Sequence, residues 1–270
     1  MNENAKSGAT FALIYDFDKT LCTKNMQEYT FIPNVGMDPD EFWKVTGEIS
    51  AANGMDPILS YMYVMLDRAK AVHAGIRRSD FTGAGRGLDL FPGVEEWFSR
   101  INAYGRELGF NVEHYIISSG LREIIDGSPI CSNFREIFAC EYYYDENGVA
   151  VWPRNVVNYT TKTQFLFRIN KGALDMSDNT AINKYVPEDE RPVPFRYMMY
   201  FGDGESDIPC MRLVKSGGGS SVAVYSESSK TADQLLSDGR VNFTAPADYR
   251  EGTRLDEIVK AVLRKASFEL

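Results

Sequence analysis

Asp16 and Asp18 stand two residues apart directly behind the continuous apolar run Phe11–Tyr15, with Thr20-Leu21 just after them. Two carboxylates this close at a strand end can divide labour once the backbone turns out of the pleat. One attacks as a nucleophile while the other moves protons. An isolated pair of this kind also serves as an acidic turn or a helix cap, so the reading depends on what else converges there. A second acidic group, Gly202-Asp203-Gly204-Glu205-Ser206-Asp207, follows the apolar run Tyr197–Phe201. Ser118, with Ser119 and Gly120, follows Val112–Ile117 and offers a hydroxyl and backbone N–H groups to an anion. Carboxylates gathered at one edge repel each other unless a cation neutralises them, and oxygen ligands alone suit Mg²⁺.

Convergence requires a scaffold. The runs at 11–15, 112–117, 197–201 and 222–225 are continuous rather than alternating, which marks strands buried on both faces. Helical patterns separate them, so the expected fold is α/β, a doubly wound and mostly parallel Rossmann-like sheet. Ligands bind such sheets beyond the carboxyl ends of the strands, where these polar residues fall.

The stretch between the first two runs is too long for one crossover. Asp38-Pro39-Asp40-Glu41 opens a helix carrying Phe42, Val45 and Ile49 and closing at Asn53-Gly54. Asp56-Pro57 opens another, with Ile58, Met62, Met65, Leu66, Ala69 and Val72 along one face. Residues 79–87 read as loop, and Pro92-Gly93 precedes a core helix with Val94, Trp97, Phe98 and Ile101. Residues 23–89 are therefore expected to form an inserted α-helical cap over the sheet edge, with 1–22 and 90–270 as the core. Further on, Asp145-Glu146-Asn147-Gly148 signals a hairpin between 138–144 and 149–152. Residues 172–194 read as an excursion, and Leu255 to Leu263 as a final packing helix.

With 44% hydrophobic and 25% charged residues among 270, the composition is that of a globular protein and excludes a disordered chain. A net charge of −9 argues against a general nucleic-acid or anionic-membrane binder. Four scattered cysteines without a CxxC pair argue against a zinc site or a disulfide framework. The polar segment Met1–Thr10 lacks the apolar stretch of a signal peptide, and the expected compartment is the cytoplasm. His73 and His114 are isolated and read as structural or surface histidines, and the arginines of 68–86 read as solvated.

On these residues the chain resembles the haloacid dehalogenase superfamily, in its phosphoserine-phosphatase-like branch with a helical C1 cap. Asp16-Phe17-Asp18-Lys19-Thr20-Leu21 resembles the first motif, DxDx[T/V]. Ser118 resembles the Ser/Thr of the second, and Gly202-Asp203-Gly204-x-x-Asp207 resembles the fourth, GDxxxD. The resemblance implies Asp16 as nucleophile and metal ligand, Asp18 as acid and base with its backbone carbonyl on the metal, and Asp203 completing the Mg²⁺ site. Ser118, Ser119 and Gly120 would hold the phosphoryl group, Thr20 would support the first motif, and Asp207 would ligate through water or hold the motif lysine. That lysine is assigned to Lys162, which opens a helical pattern, over Lys171 at the pattern's far end. The substrate-binding glutamate of phosphoserine phosphatases, nine residues after the nucleophile, is replaced by Asn25.

The implied activity is Mg²⁺-dependent hydrolysis of a small phosphomonoester through an aspartyl-phosphate. A phosphomutase or phosphotransferase of the same fold, and a non-catalytic binding protein, are the alternatives. Choice of substrate is expected to reside in the cap, where Tyr29, Phe31, Trp43 and Tyr61 are candidates to line the enclosed space, although packing between the cap helices explains any one of them equally well.

Overall fold

A computed structural model describes residues 8–270. The part of the N-terminal reading that concerns residues 1–7 lies outside the described residues. Strand β1, Ala9–Tyr15, is fully buried from Phe11 onward, which is why its sequence shows no alternation. The chain then passes through α1 (Phe31–Asn34), α2 (Pro39–Asn53), α3 (Pro57–Ala71) and α4 (Arg78–Ala84). It re-enters through α5 (Val94–Glu107) and β2 (Phe110–Leu121), followed by the short α6 (Arg122–Asp126). Strands β3 (Glu136–Tyr144) and β4 (Ala150–Asn155) form the hairpin that the Asp145–Gly148 turn signals. Helices α7 (Lys162–Lys171) and α8 (Asn179–Asn183) precede β5 (Met198–Gly202). The chain closes with α9 (Ile208–Ser216), β6 (Ser220–Tyr225), α10 (Lys230–Ser237), β7 (Phe243–Pro246) and α11 (Arg254–Ser267).

The seven strands lie in the order β4-β3-β2-β1-β5-β6-β7, and every neighbouring pair is parallel except β3–β4. The order reverses at β1, with β2 on one side and β5 on the other. That switch point opens a crevice at the carboxyl ends of β1, β2 and β5.

Local chemistry sets the helices between β1 and β2. The Asp38 side chain accepts the Asp40 N–H, and Gly54 ends α2 with φ +57°. The Asp56 carboxylate accepts the N–H groups of Ile58 and Leu59 at the start of α3. The chain leaves and returns side by side: Thr23 N–H donates to the Asp89 carbonyl at 2.9 Å and Phe91 N–H to the Leu21 carbonyl at 3.0 Å.

Residues 79–87 are not the loop their composition implies. Arg78–Ala84 is the helix α4, with one further 3-10 turn over Gly85–Gly87. The Asp80 carboxylate accepts the Arg77 N–H at 2.8 Å, and Phe81 buries its ring against Tyr142. Gly85 serves close packing on α6, since a Cβ there would lie 2.0 Å from the Ile124 carbonyl oxygen. Two of the arginines also differ from the solvated reading. Arg77 donates to the Asn147 carbonyl, and Arg78 pairs with Glu141 at 3.2 Å over the Tyr144 ring. No helix among the described residues is long and apolar enough to cross a membrane.

Candidate active site

Asp16 closes β1, and its N–H donates to the Phe201 carbonyl at 2.9 Å, which fixes the end of β1 against β5. The chain then turns sharply. Lys19 adopts φ +56°, and Leu21 N–H returns to the Phe17 carbonyl at 2.9 Å. This turn is what lifts Asp18 out of the pleat, so that both carboxylates face the same crevice. Asp18 Oδ1 accepts the Met26 N–H at 2.9 Å. Thr20 lies outside the crevice: its carbonyl accepts the Tyr249 hydroxyl at 2.8 Å, anchoring the turn to the core.

Lys162 is the first residue of α7, and its side chain is fully buried. Its Nζ donates to Asp16 Oδ1 at 2.9 Å and to Asp207 Oδ1 at 2.8 Å. Tyr200 Oη also donates to Asp207 Oδ1, at 2.8 Å. Asp207 approaches because Gly202 has no side chain, for a Cβ there would lie 2.5 Å from the Asp207 Cγ. Lys171, the alternative motif lysine, is elsewhere. It donates to the Ile182 and Lys184 carbonyls at 2.8 and 2.9 Å and fastens the 172–194 excursion.

Ser118 is buried within β2, which runs on as far as Leu121, and its Oγ accepts the Gly120 N–H at 3.0 Å. A Cβ on Gly120 would lie 2.1 Å from the Met26 Cε and 3.2 Å from Asp18 Oδ2, so only bare backbone fits beside them. Asp16, Asp18, Ser118, Ser119, Gly120, Lys162 and Asp203 all line one pocket of about 260 Å³. Lys19, Asn25, Glu205 and Ser206 complete its wall. Neither Lys19 nor Glu205 stands out by type, and their motif positions are the only sequence signal for them.

Charge is concentrated here. Burial raises the Asp16 carboxyl well above the usual range, and Asp207, Asp203 and Asp18 push it further against the opposing pull of Lys162. Burial likewise lifts Asp18 to about 7 and Asp203 to about 6. Burial alone would depress Lys162, but Asp16 and Asp207 outweigh it and keep the ammonium charged. Four carboxylates share one buried cation, with Lys19 at the pocket wall, and the raised values of Asp16, Asp18 and Asp203 reflect burial and their mutual repulsion.

A divalent cation fits this donor set. Carboxylate oxygens of Asp16, Asp203 and Asp207 lie within 4.8 Å of one another. Asp207 Oδ2 is buried and has no hydrogen-bond partner among the described residues, an orphan that a cation or its water would satisfy. All the donors are hard oxygens, the preference of Mg²⁺. Cys22 is close, with Sγ 3.7 Å from Asp18 Oδ1, but burial holds its thiol well above the usual range.

The aromatics Tyr29, Phe31, Trp43 and Tyr61 are not among the residues that line this pocket. Phe31 packs on Phe81, Trp43 sits between Phe42 and Tyr61, and Asn25 is the one residue of 23–89 along the wall. Asn25 Nδ2 donates to Glu28 Oε1, which also accepts Trp43 Nε1 at 2.8 Å. His114 is structural: Tyr15 Oη and Asn102 Oδ1 lie 3.0 and 2.9 Å from its ring nitrogens, and burial depresses it to about 3.

No family model matches the chain. An uncharacterised protein of Borreliella burgdorferi is 30% identical over 271 residues, spanning 90% of this chain and 93% of its own, and the two belong to one family. Among solved structures, phosphoserine phosphatase in its apo form superposes with a TM-score of 0.59 at 14% identity, over 93% of this chain and 98% of its own. The chain has the haloacid dehalogenase fold in its phosphoserine-phosphatase-like form. A hydrolase of that family from Salmonella enterica serovar Typhi also gives 0.59, at 13% identity over 95% of this chain and 72% of its own. A phospho-aspartyl intermediate analogue of phosphoserine phosphatase gives 0.56 at 14% identity, over 94% of this chain and 99% of its own. In this fold the crevice described above lies at the carboxyl edge of the sheet.

Proposed function

We propose that the protein is a Mg²⁺-dependent phosphatase that hydrolyses a small phosphomonoester through an aspartyl-phosphate on Asp16. The observation that carries this reading is the buried Lys162 bridge between Asp16 and Asp207, at the floor of a pocket that also gathers Asp18, Asp203 and Ser118. Phosphoryl transfer depends mostly on positioning and charge neutralisation, and this site is built for both.

Asp16 Oδ1 is held by Lys162, whereas Oδ2 has no hydrogen-bond partner among the described residues and is the oxygen that attacks phosphorus. Asp18 holds its proton near neutrality, and Oδ1 is already engaged by the Met26 N–H, so the proton sits on Oδ2. As the phosphorus–oxygen bond to the leaving group breaks, Asp18 gives that proton to the departing oxygen. Asp18, now ionised, takes a proton from water, which attacks the phosphorus of the aspartyl-phosphate and releases inorganic phosphate and Asp16. Ser118 O–H, Lys162 Nζ and the backbone at Ser119 and Gly120 bind the phosphoryl oxygens. Asp16, Asp203 and the Asp18 carbonyl, with Asp207 behind them, would hold Mg²⁺, which would neutralise the phosphoryl charge.

We assign 23–89 as the cap and 1–22 with 90–270 as the catalytic core. Tyr142 Oη on the Met62 carbonyl (2.8 Å) and Ala150 N–H on the Ile76 carbonyl (2.9 Å) support a closed arrangement. A pocket of about 260 Å³ favours a small phosphorylated metabolite over a phosphoprotein or polynucleotide. Asn25, at the position of the substrate-binding glutamate, argues against phosphoserine itself. The test is a metabolite phosphatase panel with Mg²⁺, using Asp16→Asn as the blank. Turnover that survives in the blank contradicts the assignment.

A further inference from the structure

We propose that Tyr61, on α3, is a positioning residue for Ser118, acting across the boundary between the helical insertion and the sheet. The inference rests on the phosphatase reading. Tyr61 is buried, and its hydroxyl donates to the Ser119 carbonyl at 2.7 Å. That carbonyl shares one planar trans peptide with the Gly120 N–H, and the two groups point in opposite directions. Fixing the carbonyl toward α3 therefore fixes the N–H toward the site, where it donates to Ser118 Oγ at 3.0 Å.

The consequence falls on one hydrogen. Ser118 Oγ already accepts from Gly120, so its own O–H is free to donate into the pocket that Ser118 lines. Rotation of the 119–120 peptide would instead offer Ser118 no donor, and its hydroxyl would be free to turn away. Little else fixes this peptide. Ser119 Oγ is buried without a partner, and the other contact to the carbonyl is the weak Cys140 Sγ donor at 3.3 Å. Burial holds the Tyr61 phenol protonated, so it remains a donor. Movement of α3 away from β2 would break the Tyr61 bond, which links the closed cap to an ordered phosphoryl site.

The test is a double-mutant cycle with Tyr61→Phe and Ser118→Ala, read as kcat/KM and as inhibition by orthovanadate. Tyr61→Phe keeps the ring that packs on Trp43 at 6.1 Å, so its melting temperature should stay near the wild type. Loss of one positioning hydrogen bond should lower kcat/KM and weaken orthovanadate inhibition by about three- to tenfold. In the Ser118→Ala background the same change should do nothing further. Equal losses in both backgrounds mean independent sites and overturn the relay. An unaltered Tyr61→Phe enzyme overturns it too. If the wild type neither turns over phosphomonoesters nor binds orthovanadate, the phosphatase reading fails and the relay fails with it.

Discussion

Replacing Asp203 with asparagine should stabilise the metal-free protein while removing its response to Mg²⁺. Burial and the neighbouring Asp207 lift the Asp203 carboxyl to about 6, against about 3.9 in an unfolded chain. A gap of about two units corresponds to about 3 kcal/mol, and partial solvent access reduces this to about 2 kcal/mol. The folded state holds this proton more tightly than the unfolded state, so ionisation works against folding. The penalty is absent below the unfolded value, grows as pH rises, and is complete above the folded one. In EDTA at pH 8, Asp203→Asn should therefore be more stable by about 2 kcal/mol, and by about half that at pH 5. For a chain of this size that is a shift of about 4–8 °C in melting temperature at pH 8. With 10 mM Mg²⁺ the order should reverse, since the cation stabilises only the form that binds it. Denaturant melts at both pH values, with and without Mg²⁺, provide the measurement. A variant less stable than wild type in EDTA, or one that gains as much from Mg²⁺, would refute the electrostatic account.

Other perturbations have signs that follow from the same geometry. Lys162→Met leaves Asp16 and Asp207 buried without their cation, so it should cost about 3–5 kcal/mol at pH 8 in denaturant melts. Its kcat should fall by about two orders of magnitude or more in the phosphatase assay. Asn25→Ala should change the ratio of kcat/KM between the best panel substrate and an aryl phosphate by about tenfold, or 1.4 kcal/mol. The same test on Phe31, which packs on Phe81, should leave that ratio flat. His114 binds its proton only near pH 3 when folded, so its contribution is present above about 6.5 and is lost on acidification. From pH 7 to 5 that loss is about 2 kcal/mol, and a His114→Gln variant should show a correspondingly flatter pH profile of stability.

The parts legible in the sequence were those with strong local physics. Runs buried on both faces could be read at β1, β2, β5 and β6, and Asp38 and Asp56 announced the starts of α2 and α3. The acidic pairs could be placed together because parallel strands share one carboxyl edge. Helix α4 was not legible, because only Phe81 and Ala84 of its seven residues are buried and Gly83, with Gly85 and Gly87 just beyond its end, mimics a loop. Strand β7 is four residues long at the sheet edge, too short for any periodicity. Lys162 is assigned through the family resemblance, whose motif lysine opens a helix, whereas Tyr61 stands only among the aromatics that could line the enclosed space or pack. Its hydroxyl has meaning only once α3 and β2 are brought together, 58 residues apart in the chain. The cap aromatics misled for the same reason: apolar types at helical spacing line a pocket or pack a helix pair equally well, and here they pack.

The most direct test is to look for phosphate on Asp16. Asp18→Asn should slow the release step more than the attack, because water needs the base that the leaving group of a good aryl phosphate does not. Acid quenching of this variant with a radiolabelled aryl phosphate should trap a covalent phosphoenzyme. Peptide mapping should place the label on Asp16, hydroxylamine should remove it, and Asp16→Asn in the same background should abolish it. Label on another residue, or full turnover with Asp16 replaced, would contradict nucleophilic catalysis by this aspartate.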